Sequence, residues 1–409
     1  MVILDRFRRF LREQSKNYYI LLIRGIFASF LSRLVMNFTN LYIVALGATP
    51  FQLSTVRAIG SAVSALIAIP AGWLCDMYSL KKMLILGMLV QVLSVSFYAF
   101  AQDWRWIIVA MILGSLTMAL VFRTQNIIIA NSLSDHDRAT GYGMRTTIIQ
   151  LFSIVAPTVG GLLVHYFGGL SVEGIRPLYY IQLVGHILLT IYVALRIEDV
   201  RTEAVAHVRG FFEGFREMFR VGTSLKRFVV LQALGSITWG MSMPFPFVYA
   251  AEFKGADPLL IGYMGTCAAI SSMALALPMG TLADRKGRKF AIYLTRPFFW
   301  GSFLLLVLAS KGMSWLLLLA WLMRGVMMSS SAWTAMSMEM VPQEYRGRWT
   351  GFNSLFQSLL RVPAMLIGGY LYESVNPVLV FLIPVLVDSL VRVPILITIP
   401  ETLRRSSSE

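Results

Sequence analysis

The sequence predicts an all-α membrane protein: twelve transmembrane helices in two pseudo-symmetric six-helix bundles. Three observations carry that expectation: long apolar runs, a one-sided distribution of cations, and an internal repeat. The chain has 409 residues, 57% of them hydrophobic and 14% charged. Soluble domains average about 45–50% apolar and about 25% charged. The excess is gathered into runs that match the roughly 20 apolar residues a helix needs to cross about 30 Å of hydrocarbon.

The runs fall at 18–46, 51–74, 83–101, 105–133, 140–168, 177–196, 225–252, 258–282, 289–310, 313–341, 347–373 and 376–400. Most gaps are short and carry turn or charge signals, as at 47–50, 79–82, 134–138, 284–289 and 342–348. One gap, 197–224, is longer and mixes Arg and Glu. Its Phe211, Phe212, Phe215 and Phe219 recur at helical spacing, which suggests a surface helix joining two halves. The expected organisation is therefore an N-terminal segment 1–17, a first bundle 18–196, a cytoplasmic linker 197–224, a second bundle 225–400 and a cytoplasmic tail 401–409. Segment 1–17 does not read as a cleavable signal. Its Ile3, Phe7, Phe10 and Leu11 lie among Arg6, Arg8, Arg9, Arg12 and Lys16, the pattern of an amphipathic helix on the cytoplasmic surface, with a frayed basic tail as the alternative.

The net charge of +15 follows the loops. Cations crowd the tails and one set of loops, while Arg105, Arg176, Lys254 and Lys311 are the ones in the opposite set. By the positive-inside rule both termini are cytoplasmic, and the protein is expected in the cell membrane. The basic balance thus reads as topology, and no groove-reading motif accompanies it that would point to nucleic acid. Cys75 and Cys267 form no disulfide framework, and His136, His165, His186 and His207 form no metal-ligand pair. No metal or cofactor is expected. No nucleophile or paired acids gather at one depth, so the sequence does not read as an enzyme.

The repeat divides the runs into halves. Gly72-Trp-Leu-Cys-Asp76 ends the second run, and Gly280-Thr-Leu-Ala-Asp284 ends the eighth, 208 residues on. Thr140-Gly141 and Thr350-Gly351 open the fifth and eleventh runs, 210 residues apart. Parallel halves of six helices recur in secondary transporters.

Residues 280–289 read Gly-Thr-Leu-Ala-Asp-Arg-Lys-Gly-Arg-Lys. This resembles the Gly-x-x-x-Asp-(Arg/Lys)-x-Gly-(Arg/Lys)-(Arg/Lys) loop of the major facilitator superfamily. A degraded copy in the first half keeps Gly72, Asp76 and Lys81, but Met77, Ser79 and Leu80 depart from it. The resemblance implies that fold, and transport of a small solute by alternating access. It also implies a conformational latch made of Gly72, Asp76 and Lys81 with Gly280, Asp284, Arg285, Gly287, Arg288 and Lys289. Asp284 would then face the start of the fifth run, near Thr140, and Asp76 the start of the eleventh, near Thr350. Gly280 would permit a close backbone approach. A second resemblance lies at 156–161, Ala-Pro-Thr-Val-Gly-Gly. It is similar to the Gly-Pro-x-x-Gly-Gly core of drug and proton antiporters in this superfamily, through Pro157, Gly160 and Gly161. Ala156 and Phe152 replace two of its glycines. This leans toward efflux; a simple packing kink is the alternative.

Setting the loop and tail cations aside leaves nine, all arginines: 24, 33, 57, 123, 145, 296, 324, 361 and 392. A charge at bilayer depth costs at least about 2.5–3.5 kcal/mol, so it is expected to face protein or water. Arg24, Arg57, Arg145 and Arg296 lie near run ends, where snorkelling accounts for them. Arg392 follows Asp388 by four residues and is expected to pair with it. That leaves Arg33, Arg123, Arg324 and Arg361. Arg33, Asn37 and Asn40 share one helical face in the first run, as do Gln232, Ser236 and Trp239 in the seventh and Asn353, Gln357 and Arg361 in the eleventh. The fourth run adds Arg123, Gln125 and Asn126, and the tenth adds Trp333, Met336 and Met340. The superfamily resemblance puts helices 1, 4, 7 and 10 around a central cavity, with 11 alongside. Arg33, Asn37, Asn40, Arg123, Asn126, Gln232, Trp239, Arg324, Trp333, Asn353, Gln357 and Arg361 are therefore the candidate substrate residues. Interhelical bonding and packing are the alternatives for each.

Arginine favours carboxylate or phosphate, so the expected solute is an organic anion or anionic amphiphile. Asp388 and Glu339 are the candidate proton carriers, with exchange against a counter-anion as the other coupling mode. The remaining partners are membrane lipid, and a monomer is expected. An importer or exchanger of a sugar, peptide or inorganic anion stays open, as does a non-transporting receptor or sensor on the same fold.

Overall fold

The computed structural model describes residues 15–77, 79–133, 138–199, 224–342 and 345–403, and side chains at 68–77, 138–139 and 347–348 are not among those described. The amphipathic segment expected at 1–14, the linker helix at 200–223 and the tail beyond 403 lie outside the described residues. Every described element is helical. In chain order they are α1 Lys16–Met36, α2 Thr39–Ala45, α3 Pro50–Met77, α4 Leu80–Ala99, α5 Arg105–Thr117, α6 Arg123–Asn131, α7 Arg138–Ser153, α8 Ala156–Phe167 and α9 Val172–Arg196. The second series is α10 Leu225–Ser242, α11 Pro246–Lys254, α12 Pro258–Lys286, α13 Arg288–Leu308, α14 Ser314–Met328, α15 Ala332–Glu339, α16 Arg346–Tyr370, α17 Leu379–Val387 and α18 Val393–Ile397.

Among the described residues, ten stretches are long and apolar enough to cross a bilayer. The second and eleventh predicted runs correspond to α3, of 28 residues, and α16, of 25 residues. Local chemistry sets the ends. Ser15, Ser171 and Asp257 accept hydrogen bonds from the first turns of α1, α9 and α12, and prolines open α3, α8, α11 and α12 where a missing N–H costs nothing. Large apolar side chains such as Leu195, Leu277 and Leu390 point outward, as a surface bathed in lipid tails requires.

Several runs are broken where the sequence predicts one helix. After Met36 the Phe38 N–H donates to Val35 O at 2.9 Å, a tightened turn that separates α1 from α2. Pro244 and Pro246 flank the matching break between α10 and α11. π-helical turns occupy 118–122, 371–375 and 388–392. Pro394 follows the last of these, and its lack of an N–H disturbs the i→i−4 ladder there.

The chain divides into two compact units. The first comprises residues 1–46 and 66–205 and packs around Tyr18, Leu21, Leu84, Ile129 and Val193. The second comprises residues 47–65 and 206–409 and packs around Phe228, Leu231, Ile292, Trp349 and Ile399. Residues 47–65, expected in the first bundle, group with the second unit. The reason is a tight crossing of α3 on the end of α16. A Cβ on Gly369 would meet Ser54 Oγ at 2.0 Å, and Phe51 N–H donates to Glu373 Oε2 at 2.7 Å.

Candidate functional site

Within the second unit, α10 and α16 cross closely enough to bring their polar faces together. A Cβ on Gly368 would fall 2.3 Å from Met241 O, so only glycine permits that approach. The crossing opens a cavity of about 250 Å³ between α10, α13, α14, α15, α16 and the π-turn before α18. Gln232, Gly235, Ser236, Thr238 and Trp239 line it from α10, and Gln357 and Arg361 from α16. Arg296, Phe299, Met327, Trp333 and Arg392 complete the wall. Of the sequence candidates, Gln232, Trp239, Trp333, Gln357 and Arg361 meet here.

Three guanidiniums share this cavity. Arg361 donates from Nη2 to Gln357 Oε1 at 3.1 Å, while its buried Nε has no partner among the described residues. Arg296 and Arg392 both donate to Oδ1 of Asp388, at 3.0 and 2.6 Å. Trp300 Nε1 donates to the other carboxylate oxygen at 2.9 Å. The Trp333 ring lies 5.2 Å from the Arg296 guanidinium and 5.3 Å from that of Arg392, within cation–π range. Asp388 is fully buried behind the two arginines. Arg296 is therefore corrected. It is 6% exposed and ion-paired, so it does not snorkel. Its partner lies 92 residues away, which no helical spacing can reveal. The engagement of both Asp388 oxygens as acceptors, from two cations and an indole, also weighs against this carboxyl as a proton carrier.

The other candidates stand elsewhere. Arg324 is buried on α14, with its guanidinium 5.2 Å from Trp239, 5.3 Å from Phe303 and 3.4 Å from the Met243 sulfur, and it does not line the cavity. Asn353 is half-buried on α16, outside the lining. In the first unit Asn37 is buried at the end of α1, Arg33 and Asn40 are half-buried, and Arg123 is exposed. The break after Met36 interrupts the single stripe expected of Arg33, Asn37 and Asn40. The Asn126 carbonyl accepts from Tyr142 OH at 2.9 Å. Arg24 is corrected like Arg296: it is 6% exposed and donates to Gln125 Oε1, so it is buried and does not snorkel. Along the 156–161 motif, α7 stops at Ser153 and α8 starts with Pro157 in its first turn. A Cβ on Gly160 would lie 2.3 Å from Leu34 O, so α8 and α1 touch backbone to backbone.

The loop residues form networks inside each unit. Arg288 bonds Asp284 on one side and Glu339 at 2.8 Å on the other, and Thr402 Oγ1 donates to Glu339 at 2.7 Å. Glu339 is thus part of this loop network. Glu401 accepts from the backbone N–H groups of Arg288 and Lys289, both at 3.0 Å, and so caps α13. Gly287, at φ +117°, leaves room for that carboxylate. Lys289 Nζ donates to Ile399 O at 2.6 Å. The first unit has a similar scheme at Lys81, 208 residues before Lys289: Lys81 Nζ donates to Ile197 O at 2.8 Å, and Ser79 donates to Asp199 at 2.9 Å. Among the described residues of its unit, nothing comes within 4 Å of a Cβ placed on Gly280. Arg285 is exposed, and the Asp76 side chain lies outside the described residues.

A multi-pass bundle of apolar helices with an arginine-lined cavity in one unit fits a membrane transporter for small solutes. Residues 22–254 and 228–407 match the Major Facilitator Superfamily, and the chain belongs to that family. It is a transporter, not an enzyme. The fold is similar to that of the nucleoside transporter NupG, with a TM-score of 0.80 at 14% identity over 94% of this chain and 99% of that one. It is also similar to a POT family transporter solved with a thioalcohol-conjugated peptide, at TM-score 0.67 and 12% identity, covering 92% and 94% of the two chains. A bacterial homologue of the human lysosomal transporter Spinster gives a TM-score of 0.67 at 16% identity, covering 87% and 81%. No curated protein matches the sequence.

Proposed function

We propose that the chain moves a small organic anion across the cell membrane by alternating access, in the outward direction, with the cavity of the second unit holding the anionic group. The observation that carries this reading is the convergence of Arg296, Arg361 and Arg392 on one cavity that no Asp or Glu among the described residues lines. Each buried cation costs at least about 2.5–3.5 kcal/mol at bilayer depth, and a bound anion offsets part of that cost. Trp239, Trp333 and Phe299 supply the apolar wall against which an organic body packs. The outward direction rests on the antiporter-like residues Pro157, Gly160 and Gly161 and on the tight α8–α1 contact they build. Exchange against a counter-anion is favoured over proton coupling, since Asp388 is clamped between two guanidiniums and Glu339 serves the loop network. The protein works as a monomer with both termini cytoplasmic, and Asp284 and its neighbours act as the latch.

The test is thermal stabilisation of the purified protein by anionic, neutral and cationic compounds of one size, since only a ligand of the native state raises its apparent stability. Anions should stabilise selectively, and Arg361→Gln should weaken that effect without lowering the unliganded Tm. Selective stabilisation by cations overturns the reading.

A further inference from the structure

Beyond the sign of its charge, the cavity has a definite charge count and a definite set of free donors; the ligand class drawn from them rests on reading that cavity as the anion site. Three guanidiniums line it, and one carboxylate, Asp388, sits behind two of them. Other acids of the unit are occupied elsewhere: Glu252 by Tyr372, Glu339 by Arg288 and Glu373 by the Phe51 N–H. Two positive charges therefore stand uncompensated among the described residues.

The hydrogen bonds point the same way. Arg296 spends Nη1 on Asp388 and Nε on Ile292 O, and Arg392 spends Nη1 on Asp388 and Nε on Leu231 O. Each keeps Nη2 without a hydrogen bond to the described residues. In Arg361 only Nη2 is engaged, and its buried Nε is orphaned. Ser236 is 3% exposed on the same wall, and its Oγ is orphaned too. Gly235 is part of the design: a Cβ there would lie 2.7 Å from Arg392 Nη2. A monocarboxylate brings one charge and two oxygens to this set. A phosphate monoester brings about −1.5 to −2 charges at pH 7 and three strong acceptor oxygens on one tetrahedron. The volume of about 250 Å³ lies below the roughly 300–1,000 Å³ of pockets that hold drug-sized ligands, which restricts the organic body to a compact one.

We propose that the cavity selects a phosphate monoester with a small apolar body over a monocarboxylate with the same body, Arg361 supplying the second charge. The experiment is calorimetric titration of the purified full chain at neutral pH with phenyl phosphate, phthalate, benzoate and phenol. Phenyl phosphate should bind tighter than benzoate by about tenfold or more, the usual effect of an added charge-assisted hydrogen bond, and phenol should not bind. In Arg361→Gln the preference should collapse toward unity, and Arg361→Lys should restore part of it. Equal affinity for phenyl phosphate and benzoate overturns the two-charge inference and leaves the anion reading standing. Phthalate binding as tightly as phenyl phosphate overturns the phosphoryl assignment in favour of a dicarboxylate. A preference that survives in a stably folded Arg361→Gln overturns the role given to Arg361. Phenol binding as well as the anions, or no binding by any of the four, removes the anion reading itself.

Discussion

Asp388→Asn deletes the one negative charge that Arg296 and Arg392 share while keeping the side chain's shape. The three side chains are 1%, 7% and 11% exposed, so the two cations left behind cannot turn to solvent. Removing one partner of a buried ion pair costs about 3–5 kcal/mol. Two contacts soften the loss here. The Asn carbonyl can still accept from Trp300 or one arginine, and the Trp333 face keeps about 0.5–2 kcal/mol of cation–π attraction. The lower end, about 3 kcal/mol, is therefore expected. At about 2–4 °C per kcal/mol for a unit of 150–250 residues, Tm should fall by about 6–12 °C. Intrinsic tryptophan fluorescence of the detergent-purified protein reads this directly, because Trp300 and Trp333 flank the triad. Combining Arg392→Gln with Asp388→Asn should recover part of the loss, since it removes one of the stranded charges. A single variant within about 2 °C of the wild type refutes the claim that this shared carboxylate holds α13 to the last span.

Glu401→Ala should uncap α13, costing about 1 kcal/mol, and amide exchange at Arg288 and Lys289 should quicken several-fold; unchanged exchange rejects the cap. Gly160→Ala should destabilise by about 1–3 kcal/mol, because its Cβ meets the Leu34 backbone oxygen at 2.3 Å. Gly143→Ala is the control, with nothing within 4 Å of its Cβ, and equal Tm values for the two variants contradict the close α8–α1 contact. Asp284→Asn breaks an ion pair whose carboxylate is 66% exposed. Such pairs contribute at most about 1 kcal/mol, so Tm should hold while cytoplasmic cysteine labelling of the transport pathway rises; unchanged labelling counts against the latch.

Much of the architecture was readable from the chain because the bilayer imposes a one-dimensional code. A run of about 20 apolar residues and the loop cations are local properties, so the helical runs could be written down without coordinates. Helical periodicity likewise grouped Gln232, Ser236 and Trp239 on one face, and Gln357 with Arg361 on another. Periodicity fails at the interruptions. The stripe of Arg33, Asn37 and Asn40 assumed a continuous helix that ends at Met36. It also fails for depth. Arg24 and Arg296 lie near run ends, where snorkelling is the economical expectation, yet each turns inward to a partner on another helix. The one sequence signal for Arg296 was Trp300 on the same helical face.

By itself the sequence determined the class of protein, its helical spans, its repeat and the excess of buried cations over buried acids, all of which follow from residue type and spacing along one chain. Only the tertiary structure decided which cations share a cavity, that Asp388 neutralises two of them from behind, and that Arg324 belongs among aromatic rings. Those facts depend on contacts between helices tens to over a hundred residues apart. The glycines at 240 and 368 let such helices meet at backbone distance, and no periodicity within a single helix records which neighbour will be there.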